Sequence, residues 1–291
     1  MNESGYQKLA GRPASCAYPI TGGEIPIMST PEYEVFAARY ATLTARRAGE
    51  NFLFPDDHAS AMPIDYYLWA IRGEGRTIVV DTGFSPESGV RRGRQSLHSP
   101  EGALEAIGID AAKVRDVVIS HLHWDHAGNW EIFPAATFHL QDSEMAFATG
   151  RCMCHDVFRR AMDVEDVVGA VRNVFAGRIR FHDGTAELAP GVTLHLIGGH
   201  SGGQQSVRVR TRRGWVVLAS DATHFWANIR TRNPFPLVVD VARMLEGYQI
   251  LEALADGPDH IIPGHDPLVL KRFPTVPGHP DIVRVDLPPV G

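Results

Sequence analysis

At 291 residues the chain is long enough to bury a sizeable core, and the expectation is one large α/β domain rather than two small ones. Hydrophobic residues make up 44% and charged residues 21%, the balance of an ordinary soluble globular protein, and a formal net charge of -6 excludes a general nucleic-acid binder. Residues 1–19 lack the continuous apolar segment of a signal peptide and no later stretch approaches a membrane span, so a cytoplasmic protein without a membrane partner is expected.

Residues 1–32 carry Gly, Pro and Ser without periodicity and read as an N-terminal extension packing on a single domain over 33–291; a homodimer would use this segment for part of its contact. Cys16, Cys152 and Cys154 are too few for a disulfide framework and have the wrong spacing for a zinc knuckle, so they read as structural thiols. The β-prone run 33–42 opens the ordered fold. Residues 66–71, the Gly-rich turn 72–76 and residues 77–80 form a hairpin ending at Asp81-Thr82-Gly83. The basic cluster Arg91-Arg92-Gly93-Arg94 reads as a solvated loop rather than a phosphate site. Ser99-Pro100-Glu101 starts a helix that ends about Gly108.

Next come a short buried strand over 114–120, another over 136–140 and a helix opening at Asp142. Between His155 and Gly177, the residues Val164, Val167, Val168, Val171, Val174 and Phe175 recur at helical spacing, predicting a helix that packs over the domain or walls a pocket. Strands follow at 179–182, 192–196, 205–211 and 215–220. Asp240 then caps a helix with Val241, Met244, Leu245, Tyr248 and Leu251 on one face, and Ile261-Ile262 leads to Pro263-Gly264-His265. Strands grouped in two halves with helices after each predict two mixed sheets packed face to face with helices outside.

The strand at 114–120 delivers His121-Leu122-His123-Trp124-Asp125-His126, with Ala127-Gly128 behind. Imidazoles and a carboxylate on one tight loop suit metal ligands, because borderline metals such as zinc take neutral imidazole nitrogen and carboxylate oxygen. A catalytic metal keeps one position open for water or substrate, so the ligands converge from several places. His200 in the Gly-rich stretch 197–203, Asp221 after the strand 216–219 and His265 after Ile261-Ile262 each lie just past a strand in a small-residue turn.

In that order the set resembles the metallo-β-lactamase superfamily, over roughly residues 33–275, and within it the N-acyl homoserine lactonase group and its relatives, including 4-pyridoxolactonase. The resemblance is carried by the hexapeptide with Ala127-Gly128, by Gly199-His200-Ser201-Gly202-Gly203-Gln204-Gln205-Ser206 and by Pro263-Gly264-His265-Asp266. It implies a four-layer αβ/βα sandwich and a two-metal centre, with His121, His123 and His200 on one ion, Asp125, His126 and His265 on the other, and Asp221 bridging. Two divalent ions per chain are expected, zinc first, with manganese, iron or cobalt as alternatives. The implied activity is a quorum-quenching lactonase, opening an N-acyl homoserine lactone or a related lactone or ester. The attacking hydroxide lies between the ions, since water's pKa falls from 15.7 to about 7 on a catalytic zinc.

Asp125 and His224 are the candidate catalytic residues, Asp125 doubling as a ligand. His224 stands where the lactonases resembled often place a tyrosine that hydrogen-bonds the substrate carbonyl or the leaving group; a histidine does the same task, acts as an acid, or is structural. Asp81 matches the family's Asp-Thr-Gly turn and is expected to orient a ligand histidine. Trp124, Trp130, Phe225 and Trp226 flank the ligand loops as pocket or core residues, while His139, His182, His195 and His260 read as structural. Alternative readings are a thioesterase of the glyoxalase II type, which usually adds a C-terminal helical domain where this chain has a short Pro-rich tail, and a non-catalytic metal-binding sensor, against which the complete ligand set stands.

Overall fold

Strands that are apolar on both faces require cover on both faces, and that requirement sets the layers of this molecule. The computed structural model describes residues 30–55 and 57–290; the expected N-terminal extension, up to residue 29 and including Cys16, lies outside the described residues. In chain order the elements are β1 (Glu34–Leu43), β2 (Ile64–Gly73), β3 (Arg76–Val80), α1 (Pro86–Arg91), β4 (Gln95–Ser96), α2 (Pro100–Glu105), β5 (Asp116–Val118), β6 (Thr137–Gln141), α3 (Asp142–Thr149), α4 (Asp156–Arg159) and α5 (Val164–Phe175). They continue as β7 (Ile179–His182), β8 (Thr185–Ala189), β9 (Val192–Leu196), β10 (Gln205–Thr211), β11 (Gly214–Ser220), α6 (Trp226–Thr231), α7 (Val241–Leu254), β12 (Ile261–Pro263), α8 (Leu268–Arg272), β13 (Thr275–Val276) and β14 (His279–Arg284).

A nine-stranded sheet runs β13-β14-β1-β2-β3-β5-β6-β7 with β4 added against β1, and a five-stranded sheet runs β12-β11-β10-β9-β8. Both are mixed: β3, β5, β6 and β7 pair in parallel beyond an antiparallel β14-β1-β2-β3 half, and β11 with β12 is the parallel pair of the smaller sheet. The period-two alternation of strands assigns the faces. In β2, Tyr67, Trp69 and Ile71 pack between the sheets while Tyr66, Leu68 and Ala70 join the outer cluster with Leu104 of α2 and Phe147 of α3. In β11, Val216 and Leu218 point at the facing sheet, whereas Val217 and Ala219 pack with Met244, Tyr248 and Leu251 of α7. The result is the four-layer αβ/βα sandwich, two sheets inside and helices outside.

Local chemistry explains the joints. The β2–β3 hairpin turns through Glu74 (φ 51°) and Gly75 (φ 69°), both left-handed, the combination that matches the twist of the flanking strands. Ser99 caps α2 by accepting from Gly102 N–H, and Asp240 caps α7 by accepting from Arg243 N–H, both as the sequence predicts.

Three expectations need correction. The helix α5 packs over the domain but its apolar stripe turns inward only in part: its fully buried residues are Asp166, Ala170 and Asn173, Val167 packs half-buried against the core, and Val164 is 70% and Phe175 89% exposed. The reason is close packing on Trp130, whose indole N–H donates to Asp166 O and whose ring would lie 2.7 Å from a Cβ at Gly169, so the small face of the helix has to point in. The basic cluster is not free in solvent. Arg91 and Arg92 reach the Asp163 carboxylate at 2.6 and 2.8 Å, and the Arg92 guanidinium lies over the Trp124 ring, 4.7 Å from its centroid. The tail beyond His265 is likewise structured, since β14 pairs with β1 inside the larger sheet at Phe36↔Arg284 and Ala37↔Val283. Among the described residues no helix is long and apolar enough to cross a membrane.

The two faces should respond differently to truncation. Trp69→Ala, at a fully buried position between the sheets, should destabilise by about 3–5 kcal/mol, whereas Phe175→Ala should change stability by no more than about 0.5 kcal/mol in denaturant unfolding. A large loss at Phe175 would show that the α5 stripe is covered.

Candidate metal centre

The sandwich presents its candidate ligand residues on loops that follow strands of both sheets. His121 to His126 follow β5, His200 lies between β9 and β10, Asp221 follows β11 and His265 follows β12. Two non-glycine residues with left-handed backbone stand beside these loops, Asp81 (φ 65°) after β3 and Ser220 (φ 47°) at the end of β11. Asp81 is held there by its side chain: Oδ1 accepts from Ser120 N–H at 2.7 Å and Oδ2 from the Ser120 hydroxyl at 2.9 Å. Gly264 is required next to His265, because a Cβ there would lie 2.6 Å from Asp221 Oδ1 and 2.7 Å from Ser220 O.

The seven expected ligands meet. Ligand atoms of His121, His123 and His200 lie within 4.8 Å of one another, as do those of Asp125, His126 and His265. Asp221 stands between the two sets with one oxygen toward each. Its Oδ2 is 3.3 Å from His200 Nε2 and 3.9 Å from His121 Nε2, while Oδ1 is 3.0 Å from His265 Nε2 and 3.4 Å from His126 Nε2. All are buried except Asp125, which keeps partial exposure.

Hydrogen bonds on the far side of the His121, His126, His200 and His265 rings fix which nitrogen of these four is left bare. His200 Nδ1 lies 2.7 Å from Leu237 O and His265 Nδ1 lies 2.7 Å from Asp65 O; a carbonyl only accepts, so both rings donate from Nδ1. His126 Nδ1 is 2.8 Å from Asp81 Oδ2, and His121 Nδ1 meets the Ser120 hydroxyl, whose own proton goes to Asp81. The Nε2 atoms therefore aim at the centre. Two of them, His121 Nε2 and His200 Nε2, face each other at 3.1 Å, and the buried His126 Nε2 and Asp221 Oδ1 have no hydrogen-bond partner. Lone pairs and a carboxylate converging in a dry site repel one another unless positive charge lies among them, so the donor set fits divalent cations.

The sequence profile of the metallo-beta-lactamase superfamily matches residues 64–265, more than half of the chain. The chain belongs to that superfamily. Among its relatives, N-acyl homoserine lactonase AiiB of Agrobacterium fabrum is 31% identical over 188 residues, 57% of this chain and 65% of the relative, so the match spans just under two thirds of that protein's length. N-acyl homoserine lactonase AttM of Azorhizobium caulinodans is 30% identical over 61% of this chain and 68% of its own. The fold is shared with solved lactonase structures, among them an N-acyl homoserine lactone hydrolase with the product N-hexanoyl-L-homoserine bound at its catalytic metal center, with a TM-score of 0.67 and 22% identity over 84% of this chain and 96% of that one.

Within this superfamily fold the charges divide unevenly. Burial pushes His121 and His123 well below the usual imidazole range, and the neighbouring rings add to the shift. For His126 burial acts in the same direction, yet Asp221, Asp125 and Asp81 outweigh it and hold the ring well above that range; His265 is raised in the same way by Asp221 and Asp125. Asp221 is buried, which alone would raise its pKa, but His265, His224 and His126 hold it well below the carboxylate range. The direction of these shifts favours protons on His126 and His265 in the metal-free centre.

His224 joins the cluster, its Nε2 2.9 Å from Asp221 Oδ2 and its ring stacked on Phe235 with centroids 3.3 Å apart; its Nδ1 is buried with no hydrogen-bond partner. Asp81 supports His126 as expected. Trp124, Trp130, Phe225 and Trp226 are all buried, and Trp226 lines a separate cavity of about 440 Å³ with Ile229 and Arg272. The opening onto the ligands is narrower, about 20 Å³, with His123 and His200 at its base, apolar walls of Phe147, Phe158 and Leu237, and exposed Arg160 beside them. His139 and His182 bond each other at 3.0 Å on adjacent strands, away from the centre, consistent with a structural role. One residue escapes the sequence reading altogether: Glu144, whose buried carboxylate receives Leu122 N–H, Ser201 O–H and Gly203 N–H. In sequence it is an ordinary acid in the first turn of α3.

The protonated state of His126 and His265 has a measurable consequence. Ligand rings bind metal through a bare nitrogen, so loading has to expel these protons, and fewer remain to be expelled as pH rises through the raised pKa values. Apparent metal affinity should therefore increase as pH rises above the ordinary imidazole value of 6.5, with proton release seen by calorimetry in buffers of different ionisation enthalpy. Affinity independent of pH, with no proton release, would contradict the assignment.

Proposed function

We propose that the chain is a metal-dependent hydrolase that opens a lactone ring, using two divalent ions bridged by Asp221, with residues 33–291 as one hydrolase domain. The single observation that carries this reading is the orientation of the Asp221 carboxylate, one oxygen toward the His121, His123 and His200 set and the other toward Asp125, His126 and His265. When bound, the two cations supply Lewis acidity toward the ester carbonyl and a nucleophile from water at neutral pH. Zinc is the assigned metal on the chemistry of five imidazoles and two carboxylates, and a solved neighbour with the same fold is described as a dizinc quorum-quenching lactonase.

The residues of this chain do the positioning. Asp81, Leu237 O and Asp65 O fix the rings from behind, so the ligand nitrogens need no rearrangement as charge develops on the substrate. His224 donates to Asp221 through Nε2–H and burial favours its neutral ring, which leaves Nδ1 as a bare acceptor able to take a proton from the attacking water and pass it to the departing ring alkoxide. The reading of the substrate as an acyl lactone rests on relatives named N-acyl homoserine lactonases, and the opening beside Phe147, Phe158 and Leu237, about 20 Å³, would have to widen to admit an acyl substituent. An N-acyl homoserine lactone or a related small lactone is the substrate class, acted on in the cytoplasm.

Two substitutions separate metal binding from proton transfer. His123→Ala and Asp221→Asn should each lower turnover by orders of magnitude together with metal content; full metal and full rate in either variant would overturn the two-ion reading. His224→Ala should lower kcat about 10²–10⁴-fold with metal retained, and an unchanged kcat would return His224 to a structural role. The substrate class is tested by a hydrolysis panel of acyl homoserine lactones of varied chain length, aromatic lactones and S-lactoylglutathione. Preference for the thioester would favour the glyoxalase II type of activity instead.

A further inference from the structure

Glu144 is fully buried. Its Oε1 accepts from Leu122 N–H at 2.8 Å, and its Oε2 accepts from the Ser201 hydroxyl at 2.7 Å and from Gly203 N–H at 2.7 Å. Leu122 lies between His121 and His123, and Ser201 and Gly203 follow His200. One carboxylate therefore ties together the two chain segments that carry the His121, His123 and His200 set. These segments come from different layers, one leaving β5 of the larger sheet and the other leaving β9 of the smaller.

The contact is as close as backbone allows. A Cβ at Gly203 would lie 2.3 Å from Glu144 N, and one at Gly202 would lie 2.5 Å from Phe147 Cβ, so the loop after His200 is pressed directly onto α3. At their bases the same two segments are joined by Gln205, whose N–H donates to Ser120 O at 3.0 Å and whose side-chain amide donates to Ile119 O at 2.8 Å. Gln205 holds the strands together, and Glu144 fixes the loop tips. The other ligand set has separate supports, Asp81 behind His126 and Asp65 O behind His265, and none of the three donors to Glu144 belongs to that set.

We propose that Glu144 is a positioning residue for one half of the metal centre, setting the spacing of His121, His123 and His200 and thereby the metal affinity of that half alone. The proposal rests on the two-metal reading above. A carboxylate suits this position because all three partners donate. Glutamine at the same place has one acceptor oxygen and an NH₂ group, which has to face either Leu122 N–H or Gly203 N–H, donor against donor. The shape is kept while the spacing of the two loops is not.

The test is a zinc titration of the metal-free full chain against a competing chromophoric chelator, comparing wild type with Glu144→Gln, with histidine-ring NMR to identify the weakened half. Wild type should take up two ions. Glu144→Gln should bind one ion with unchanged affinity and the other about 10–100-fold more weakly, the loss falling on His121, His123 and His200. Ser201→Ala, which removes one donor and leaves both backbone contacts, should give the same asymmetry at smaller size and serves if Glu144→Gln does not fold. Unchanged affinity at both sites would overturn the proposal, and so would an equal loss at both with a lowered thermal midpoint of the metal-free protein, the signature of a merely structural residue. A wild-type chain that binds fewer than two ions would instead overturn the two-metal reading itself.

Discussion

A buried carboxylate surrounded by imidazoles is the constraint on which this molecule is built. Asp221 has His121, His126, His200, His224 and His265 within 4 Å, and for all but His224 the ring nitrogen turned toward it is the one left bare by a hydrogen bond on the far side. Left without positive charge, such a cluster would expose lone pair to lone pair in a medium too dry to screen them. The raised pKa values of His126 and His265 favour protons there in the metal-free state, and the donor set suits divalent cations in the same place. The left-handed backbone at Asp81 and Ser220 is a further consequence, strain kept in place by the hydrogen bonds that aim the ligands.

The sandwich serves this cluster by bringing loops of both sheets together. The larger sheet delivers the loop His121 to His126, while the smaller delivers His200, Asp221 and His265, so neither sheet alone holds a complete set. The inter-sheet core of Trp69, Ile71, Val216 and Leu218 therefore does more than stabilise: it sets the distance between the two ligand groups. Near the centre, where that core ends, polar ties take over. Gln205 and Glu144 link the loops of the two sheets, and β14 closes the far side by pairing with β1.

Much of this was legible in the chain. Strands with strong period-two or continuous apolar character, such as β2, β10 and β11, fall within one or two residues of their expected limits, because burial on one or both faces leaves a direct trace in residue order. The candidate ligands stand out in sequence for a different reason: they are histidines and aspartates on loops that follow strands, and the fold brings them together. The misreadings came where tertiary packing decides. Apolar spacing in α5 implies an inward stripe, but nothing local reveals that Gly169 and Ala170 have to meet Trp130. The strand β14 contains Pro280 and reads as tail, although its pairing with β1 is plain in space. Glu144 drew no reading from sequence, since the three donors that define it lie 22, 57 and 59 residues away.

The most direct measurement is a crystal structure of the zinc-loaded chain with anomalous scattering at the metal edge. Two ions about 3.5–4 Å apart are expected, one held by His121, His123 and His200, the other by Asp125, His126 and His265, with one Asp221 oxygen on each. A single ion, or a pair with Asp221 bound to only one of them, would contradict the bridging role on which the proposed chemistry depends.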